Sequence, residues 1–131
     1  MYIRIVTFTT AGISADEYRA LTEAVAAGFT EWPGLLGKLW LGDRERNRYG
    51  GVYLFASKAD ADRSRSTPLF VGLGANPAFT DVVVEEFDVL PEATAVTWPG
   101  LRDGAARPTA WIKARSSRIA HRSMMRESRR R

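Results

Sequence analysis

The sequence predicts an α+β fold of the split-βαβ, or ferredoxin-like, type, with a four-stranded antiparallel sheet and helices on one face. Two observations lead to this prediction. Apolar residues alternate with period two in four short segments and recur with helical period between them, in the order β, α, β, β, α, β. Glycine and proline residues lie at most of the boundaries between these segments, where they favour turns.

The first strand is predicted over residues 2–9, where β-branched and aromatic residues alternate. Arg4, Val6 and Phe8 share one side of this strand. Gly12 ends the alternating run. Because Arg4 interrupts the apolar residues and no small-residue cleavage site follows, we expect neither a signal peptide nor a membrane span here.

The first helix is predicted over residues 15–31, because Ser14 and Glu17 form a capping-box pattern at its start. Pro33 and Gly34 end it. The apolar residues of this segment recur at steps of three and four, so they share one face that must pack on the sheet or on another helix. They are Tyr18, Leu21, Val25, Phe29 and Trp32.

The second and third strands are predicted over residues 35–41 and 52–56, with a polar loop between them. Lys38 and Trp40 lie on the same side of the second strand.

Gly50 and Gly51 directly precede the predicted third strand. A phosphate-binding loop has its glycines after a strand and before a helix, at a fixed spacing that this pair lacks. We therefore interpret the pair as residues that let the chain turn into the strand, rather than as a ligand site.

The last elements follow from similar signals. Ser57 is predicted to cap a short helix over residues 58–65, and residues 69–73 are predicted to add another turn or two of helix. The fourth strand is predicted over residues 82–89, and Pro91 ends the sheet.

The composition indicates one globular domain. A chain of 131 residues with 45% hydrophobic residues can bury a core. It contains no cysteine, which excludes disulfides, thiolate nucleophiles and cysteine-ligated zinc sites. This composition fits a reducing compartment, and we expect a cytoplasmic protein.

The charges are unevenly distributed, with a net −4 over residues 1–97 and +8 over residues 98–131. We therefore predict a folded domain over 1–97 and a basic, disordered tail over 98–131. The tail could attract nucleic acid through its phosphates, but few aromatic residues are available for base stacking, so nucleic-acid binding is not expected. A basic amphipathic helix over residues 111–125, formed on contact with a partner or an anionic membrane, is a weaker alternative.

The predicted strands carry apolar residues on both sides, whereas the helices cover only one face of the sheet. An uncovered apolar face is typical of an interaction surface. We therefore expect a homodimer formed through the sheets.

Three segments, residues 32–40, 50–55 and 69–90, resemble in this order the YdhR-like monooxygenases of the dimeric α/β-barrel superfamily. The resemblance covers roughly residues 1–97. It implies a homodimer whose two sheets face each other as a barrel, with a pocket between each sheet and its own helices. It also places the chain near the antibiotic-biosynthesis monooxygenases, which oxidise polycyclic aromatic substrates with O₂ and without metal or flavin.

The resemblance implies a cofactor-independent monooxygenase that oxidises an aromatic or polyketide-like small molecule. The alternative is a dimeric module that binds a small hydrophobic ligand without catalysis, because one fold hosts many functions. An oxygenase of this kind needs at least one desolvated hydrogen-bond donor in its pocket, to stabilise an enolate or phenolate. A pocket without such a donor would favour the binding module.

Metal and haem chemistry are poorly supported by the residue types. The one histidine, His121, lies in the tail outside the matched region, so we set haem degradation aside. Glu85, Glu86 and Asp88 fall on alternate faces of a strand and are expected to be solvated or paired across strands. We expect no metal and no cofactor.

Three polar residues are candidates for catalysis, each with a structural alternative. Lys38 could hold an oxyanion, or could reach the rim or a salt bridge at the dimer interface. Arg4 could bind an anionic substrate group, or could pair with Glu86 or Asp88. Tyr53 could donate to an oxyanion, or could be an ordinary core tyrosine. No candidate for a general base stands out.

Aromatic residues are the candidates for the walls of a site that binds a flat substrate, with ordinary core packing as the alternative for each. They are Phe8, Phe29, Trp32, Trp40, Phe55 and Phe70.

Overall fold

The structure, a computed structural model, describes residues 1–101. Its elements are, in chain order, β1 (Tyr2–Thr10), α1 (Ala15–Phe29), β2 (Leu35–Asp43), β3 (Arg48–Phe55), α2 (Lys58–Ser64), α3 (Pro68–Gly74), β4 (Phe79–Asp88), α4 (Pro91–Thr97) and a 3₁₀ turn (Pro99–Leu101). Within this part of the chain, no helix has the length and apolar character needed to cross a membrane. Of the predicted tail over residues 98–131, the structure describes the start, which includes the 3₁₀ turn. The rest of the tail, with the helix over residues 111–125, lies outside the described residues.

The strands form one antiparallel sheet in the order β2-β3-β1-β4, which confirms the predicted split-βαβ arrangement. Helices α1, α2 and α3 pack on the same face of this sheet. Phe29 of α1 and Ala61 of α2 share a core cluster with Tyr53 and Phe55 of β3, and Phe70 of α3 packs against that cluster. We call this helix-covered side of the sheet the inner face.

Local hydrogen bonds set the starts of the helices. Ser14 Oγ accepts from the backbone N–H of Glu17, and the Glu17 carboxylate accepts from the backbone N–H of Ser14, so the predicted capping box is confirmed. Ser57 Oγ likewise accepts from the backbone N–H of Asp60 at the start of α2. Helix α1 ends at Phe29, slightly before its predicted end.

The predicted start of the third strand is wrong. Strand β3 begins at Arg48, so Gly50 and Gly51 lie inside it and do not lead into it. Gly50 pairs with Thr7 of β1 on one side and with Leu41 of β2 on the other. Backbone pairing on both sides therefore holds the glycines in a strand, although glycine has a low intrinsic preference for strands.

Two other predictions need correction near the C-terminal end of the domain. Strand β4 begins at Phe79, earlier than predicted, because the end of β1 through Thr10 pairs with it. The chain then forms helix α4 directly after the sheet, where the sequence predicted only an end to the strand.

The face of the sheet opposite the helices is apolar and uncovered in the single chain. Leu39, Val83 and Phe87 on this face are 62%, 46% and 52% exposed. Cross-strand pairing places further apolar residues beside them. We call this surface the outer face, and it consists of Ile3, Ile5, Leu39, Val52, Leu54, Val83 and Phe87.

Candidate functional site

One row of paired residues crosses the whole inner face. Lys38 of β2 pairs with Tyr53 of β3, and Tyr53 pairs with Arg4 of β1. Arg4 in turn pairs with Glu86 of β4. Because paired residues on neighbouring strands direct their side chains to the same side, all three candidates for catalysis lie side by side. We call these four residues the polar row.

A cavity of about 150 Å³ lies between the inner face and the helices. Its wall is mostly apolar and aromatic, as is usual for sites that bind small molecules. Val82 and Val84 of β4 line it and are 54% and 49% exposed, so the cavity is open to solvent along this strand. A cavity of this size holds an aromatic ring, and the open side leaves space for a fused-ring molecule.

The ammonium group of Lys38 lies in a cage of three aromatic rings. Nζ is 3.4 Å from the ring centroid of Trp40, 3.5 Å from that of Phe29 and 4.4 Å from that of Tyr53. No carboxylate of residues 1–101 forms an ion pair with it. Burial lowers the pKa of Lys38 to about 7, while the ring faces attract its charged form. Both the amine and the ammonium are therefore populated near neutral pH.

Two tyrosine side chains also line the cavity. Within residues 1–101, the hydroxyl groups of Tyr53 and Tyr18 have no hydrogen-bond partner. Every completely buried polar side-chain atom in this part of the chain does have a partner. Both hydroxyls must therefore be accessible from the cavity. Burial raises the pKa of each phenol to about 12. Both are therefore neutral at physiological pH and can donate a hydrogen bond to a ligand.

Arg4 is buried and engaged, with a side chain that is 1% exposed. Its Nε donates to Glu86 at 2.7 Å. Its two terminal nitrogens donate to Ser64 Oγ at 2.9 Å and to the carbonyl of Ala61 at 2.8 Å. The same Glu86 carboxylate accepts from Arg65, directly after α2, at 2.7 Å. Of the two alternatives for Arg4, the structure favours pairing with Glu86 over a contact with substrate.

The other strand carboxylates are arranged as expected. Glu85 and Asp88 are exposed, and Glu86 is paired across the strands. Among the described residues, no three His, Cys, Asp or Glu side chains lie close enough together to hold a metal ion.

Gly51 leaves the space that the Lys38 side chain fills. A Cβ atom at this position would lie 2.8 Å from Lys38 Cε and 3.3 Å from a ring carbon of Tyr53. With no side chain there, the Lys38 stem lies over β3 and its Nζ reaches Phe29 beneath α1. The glycine thus shapes the cavity, a role that the sequence did not indicate.

Most of the aromatic candidates for substrate binding line the cavity, namely Phe8, Phe29, Trp32, Trp40 and Phe70. Phe55 does not. It is fully buried in the core, with its ring nearly parallel to those of Trp32 and Tyr53.

Several wall residues were not identified as site residues from the sequence. Tyr18, Leu21 and Val25 line the cavity and belong to the predicted apolar face of α1, so that pattern could have identified them. Phe79 and Arg65 also line it. No local pattern marks these two, because their positions depend on strand pairing and helix packing.

Comparisons with known proteins agree with this architecture. The family model described as "Putative mono-oxygenase ydhR" matches residues 3–99. No curated protein matches the chain.

Three solved structures share the fold. SnoaB, a cofactor-independent oxygenase from Streptomyces nogalater, is 23% identical with a TM-score of 0.55, over 70% of this chain and 97% of SnoaB. A dimeric ferredoxin-like protein of unknown function from Jannaschia sp. CCS1 is 22% identical with a TM-score of 0.56, over 67% of this chain and 98% of that protein. An antibiotic biosynthesis monooxygenase is 17% identical with a TM-score of 0.58, over 70% of this chain and 100% of that protein.

Proposed function

Because the chain belongs to the ydhR mono-oxygenase family, we propose that it is a cofactor-independent monooxygenase that oxidises an aromatic or polyketide-like small molecule with O₂. The observation that supports this proposal most is that Lys38 Nζ and Tyr53 Oη lie beside an apolar, aromatic cavity and have no hydrogen-bond or ion-pair partner in the described part of the chain. A module that only binds hydrophobic ligands has no need of desolvated donors at this place. SnoaB, which shares the fold, is a cofactor-independent oxygenase.

The reaction we propose converts a methylene group, activated by neighbouring aromatic and carbonyl groups, into a carbonyl group. Loss of one proton gives an enolate, which passes one electron to O₂ and then combines with the superoxide to form a carbon-bound peroxide. The peroxide takes up a proton and loses water as the second C–H proton leaves. One CH₂ and one O₂ thus become one C=O and one H₂O, with no added reductant.

The residues of the polar row have distinct roles in this proposal. Tyr53 donates a hydrogen bond to the enolate oxygen, and Lys38 places positive charge beside it. The aromatic wall holds the ring system and excludes water, which strengthens both interactions. Arg4 is a positioning residue, because it is buried and holds Glu86 at one end of the row.

Oxygen consumption by metal-stripped protein, with a panel of anthrones and hydroquinones, tests this function. We expect uptake to survive chelation and to fall about 10²-fold in Tyr53→Phe and in Lys38→Met, because each removes a group that stabilises the oxyanion. Tyr49→Phe and Lys58→Met are matched controls. Tyr49 lies outside the cavity wall and Lys58 is exposed on α2, so both variants should keep the activity.

The alternative function predicts a different result. Absence of oxygen uptake with every compound, together with saturable quenching of tryptophan fluorescence by the same compounds, would support a binding protein for small hydrophobic ligands. Trp32 and Trp40 line the cavity, so their fluorescence reports on its occupation.

We also propose that the outer face is covered by a second copy of the chain. Three of its apolar residues, Leu39, Val83 and Phe87, are 62%, 46% and 52% exposed in the single chain, and the Jannaschia protein of the same fold is dimeric. Leu39→Glu, which places a charge on this face, should reduce the mass in sedimentation equilibrium from two chains to one. Val71→Glu, at an equally exposed site on α3, should leave the mass unchanged, and a single-chain mass for the unaltered protein would disprove the dimer.

A further inference from the structure

The proposed reaction begins with loss of a proton, and the groups around the cavity limit which residue can accept it. Among residues 1–101, no carboxylate contributes to the cavity wall. Helix α3 and strand β4 present only apolar residues to it. Besides Lys38, the titratable groups among residues 1–101 that line it are Tyr53 of β3, Tyr18 of α1, Arg4 of β1 and Arg65, which directly follows α2.

None of these four groups is suited to accept a proton near neutral pH. The two tyrosines are neutral phenols with raised pKa values, so they are donors. The two guanidinium groups offer only N–H donors, and both donate to Glu86. Lys38 differs, because burial lowers its pKa to about 7, so a fraction of the protein molecules carry it as an unprotonated amine at neutral pH.

The surroundings of Lys38 also suit a group that changes charge during the reaction. With no acidic partner among residues 1–101, its lone pair is not committed to a salt bridge when the amine is neutral. When the amine becomes an ammonium, the three ring faces at 3.4 to 4.4 Å stabilise the new charge. The space above Gly51 keeps the side chain in this cage.

We propose that Lys38 is the proton acceptor of the reaction: its neutral amine takes the first proton from the substrate, and the ammonium that results stabilises the enolate. This inference rests on the proposed function and names the residue that starts it. The ammonium later returns its proton to the peroxide, whose outer oxygen then leaves as water together with the second C–H proton, so that Lys38 ends the cycle as the amine. The overall conversion of CH₂ and O₂ into C=O and H₂O is unchanged.

The sign of the pH dependence follows from the protonation state. The amine is the active form, and its fraction rises as the pH rises through about 7. The rate of proton removal from the substrate should therefore increase with pH through this range and then level off. A residue that acted only as a fixed positive charge would give the opposite trend, because its charge would disappear over the same range.

Anaerobic binding of 1,8-dihydroxyanthrone separates proton removal from oxidation. Without O₂ the enolate accumulates, and its visible absorbance band distinguishes it from the neutral anthrone. With the unaltered protein, we expect the initial rate at which the band appears after rapid mixing to rise with a midpoint near pH 7. With Lys38→Met, binding should persist, as measured by tryptophan quenching, whereas this rate should fall about 10²-fold.

Two further variants distinguish a proton acceptor from a fixed charge. Lys38→Arg keeps the positive charge but cannot accept a proton, so its band should also form about 10²-fold more slowly. Lys38→Ala should regain the rate of band formation when ethylamine or propylamine is added, in proportion to the amine concentration, because the space vacated by the lysine admits a small base. A normal rate of band formation and a normal pH profile in Lys38→Arg would overturn the proposal, as would failure of amine rescue in a Lys38→Ala protein that still binds the anthrone.

The two proposals fail in different ways. Oxygen uptake at the normal rate in Lys38→Arg would leave the oxygenase standing and remove Lys38 as its proton acceptor. If the enolate band forms at a rate that depends on Lys38 but no oxygen is consumed in air, Lys38 remains the proton acceptor and the oxygenase function is disproved.

Discussion

Replacing Gly50 with alanine is expected to lower the free energy of unfolding by about 4 kcal/mol or more, enough to leave much of the protein unfolded. The added methyl group would lie 2.8 Å from the carbonyl carbon of Val6 and 2.9 Å from Cα of Thr7, and closer still to the Val6 oxygen. These are backbone atoms of β1, which pairs with β3 on one side and β4 on the other. Neither strand can move away without breaking backbone hydrogen bonds.

Urea denaturation followed by circular dichroism measures this effect. Gly37→Ala is the matched control, since Gly37 also lies in a strand but a Cβ atom there meets nothing within 4 Å. We expect that control to stay within about 0.5 kcal/mol of the unaltered protein. Equal unfolding midpoints for the two variants would show that β1 and β3 do not approach each other as closely at Gly50 as the structure indicates.

The glycines illustrate which parts of the fold can be predicted from the sequence. Caps and turns are local, so Ser14, Glu17 and Ser57 predict the helix starts correctly. The start of β3 is not local. Gly50 and Gly51 have a low intrinsic preference for strands, and only pairing with β1 and β2 on both sides keeps them extended.

The candidate site likewise has local features that the sequence predicts and non-local features that it does not. Alternation along each strand correctly places Lys38 on the same side as Trp40, and Arg4 with Phe8. It does not give the register between strands, and the register decides that Lys38, Tyr53 and Arg4 form one row. The lowered pKa of Lys38 also depends on burial beneath α1, which no short stretch of sequence encodes.

Phe55 shows the limit of an argument from residue type alone. It alternates correctly with Tyr53 and points to the inner face, as the strand pattern predicts. Tyr53 nevertheless lines the cavity, whereas Phe55 is 0% exposed and packs in the core cluster with Ala61 of α2. Whether an inner-face residue lines the cavity or packs in the core therefore depends on which part of a helix lies over it.

Replacing Arg4 with methionine is expected to lower the free energy of unfolding by about 4 kcal/mol at neutral pH. The variant removes three charge-assisted hydrogen bonds at once, those from Arg4 to Glu86, to Ser64 Oγ and to the Ala61 carbonyl. Glu86 keeps Arg65 and Tyr2 as donors but loses the buried cation that compensates its charge, which is costly in a site shielded from water. Arg19→Met is the control, because the Arg19 ion pair with Glu23 is exposed and should contribute less than about 0.5 kcal/mol.

The pH dependence of the same variant tests the mechanism of destabilisation. Burial opposes ionisation of Glu86, but hydrogen bonds from Arg4 and Tyr2 outweigh it and hold the pKa of this carboxyl below its usual value of 4.5. A carboxyl with a lowered pKa contributes stability that is fully present above its usual pKa and is lost as the pH falls below it. The difference in unfolding free energy between the unaltered protein and Arg4→Met should therefore shrink on acidification from pH 6 to pH 3. A difference that stays constant over this range would mean that Arg4 stabilises the fold through packing, and that its charge contributes little.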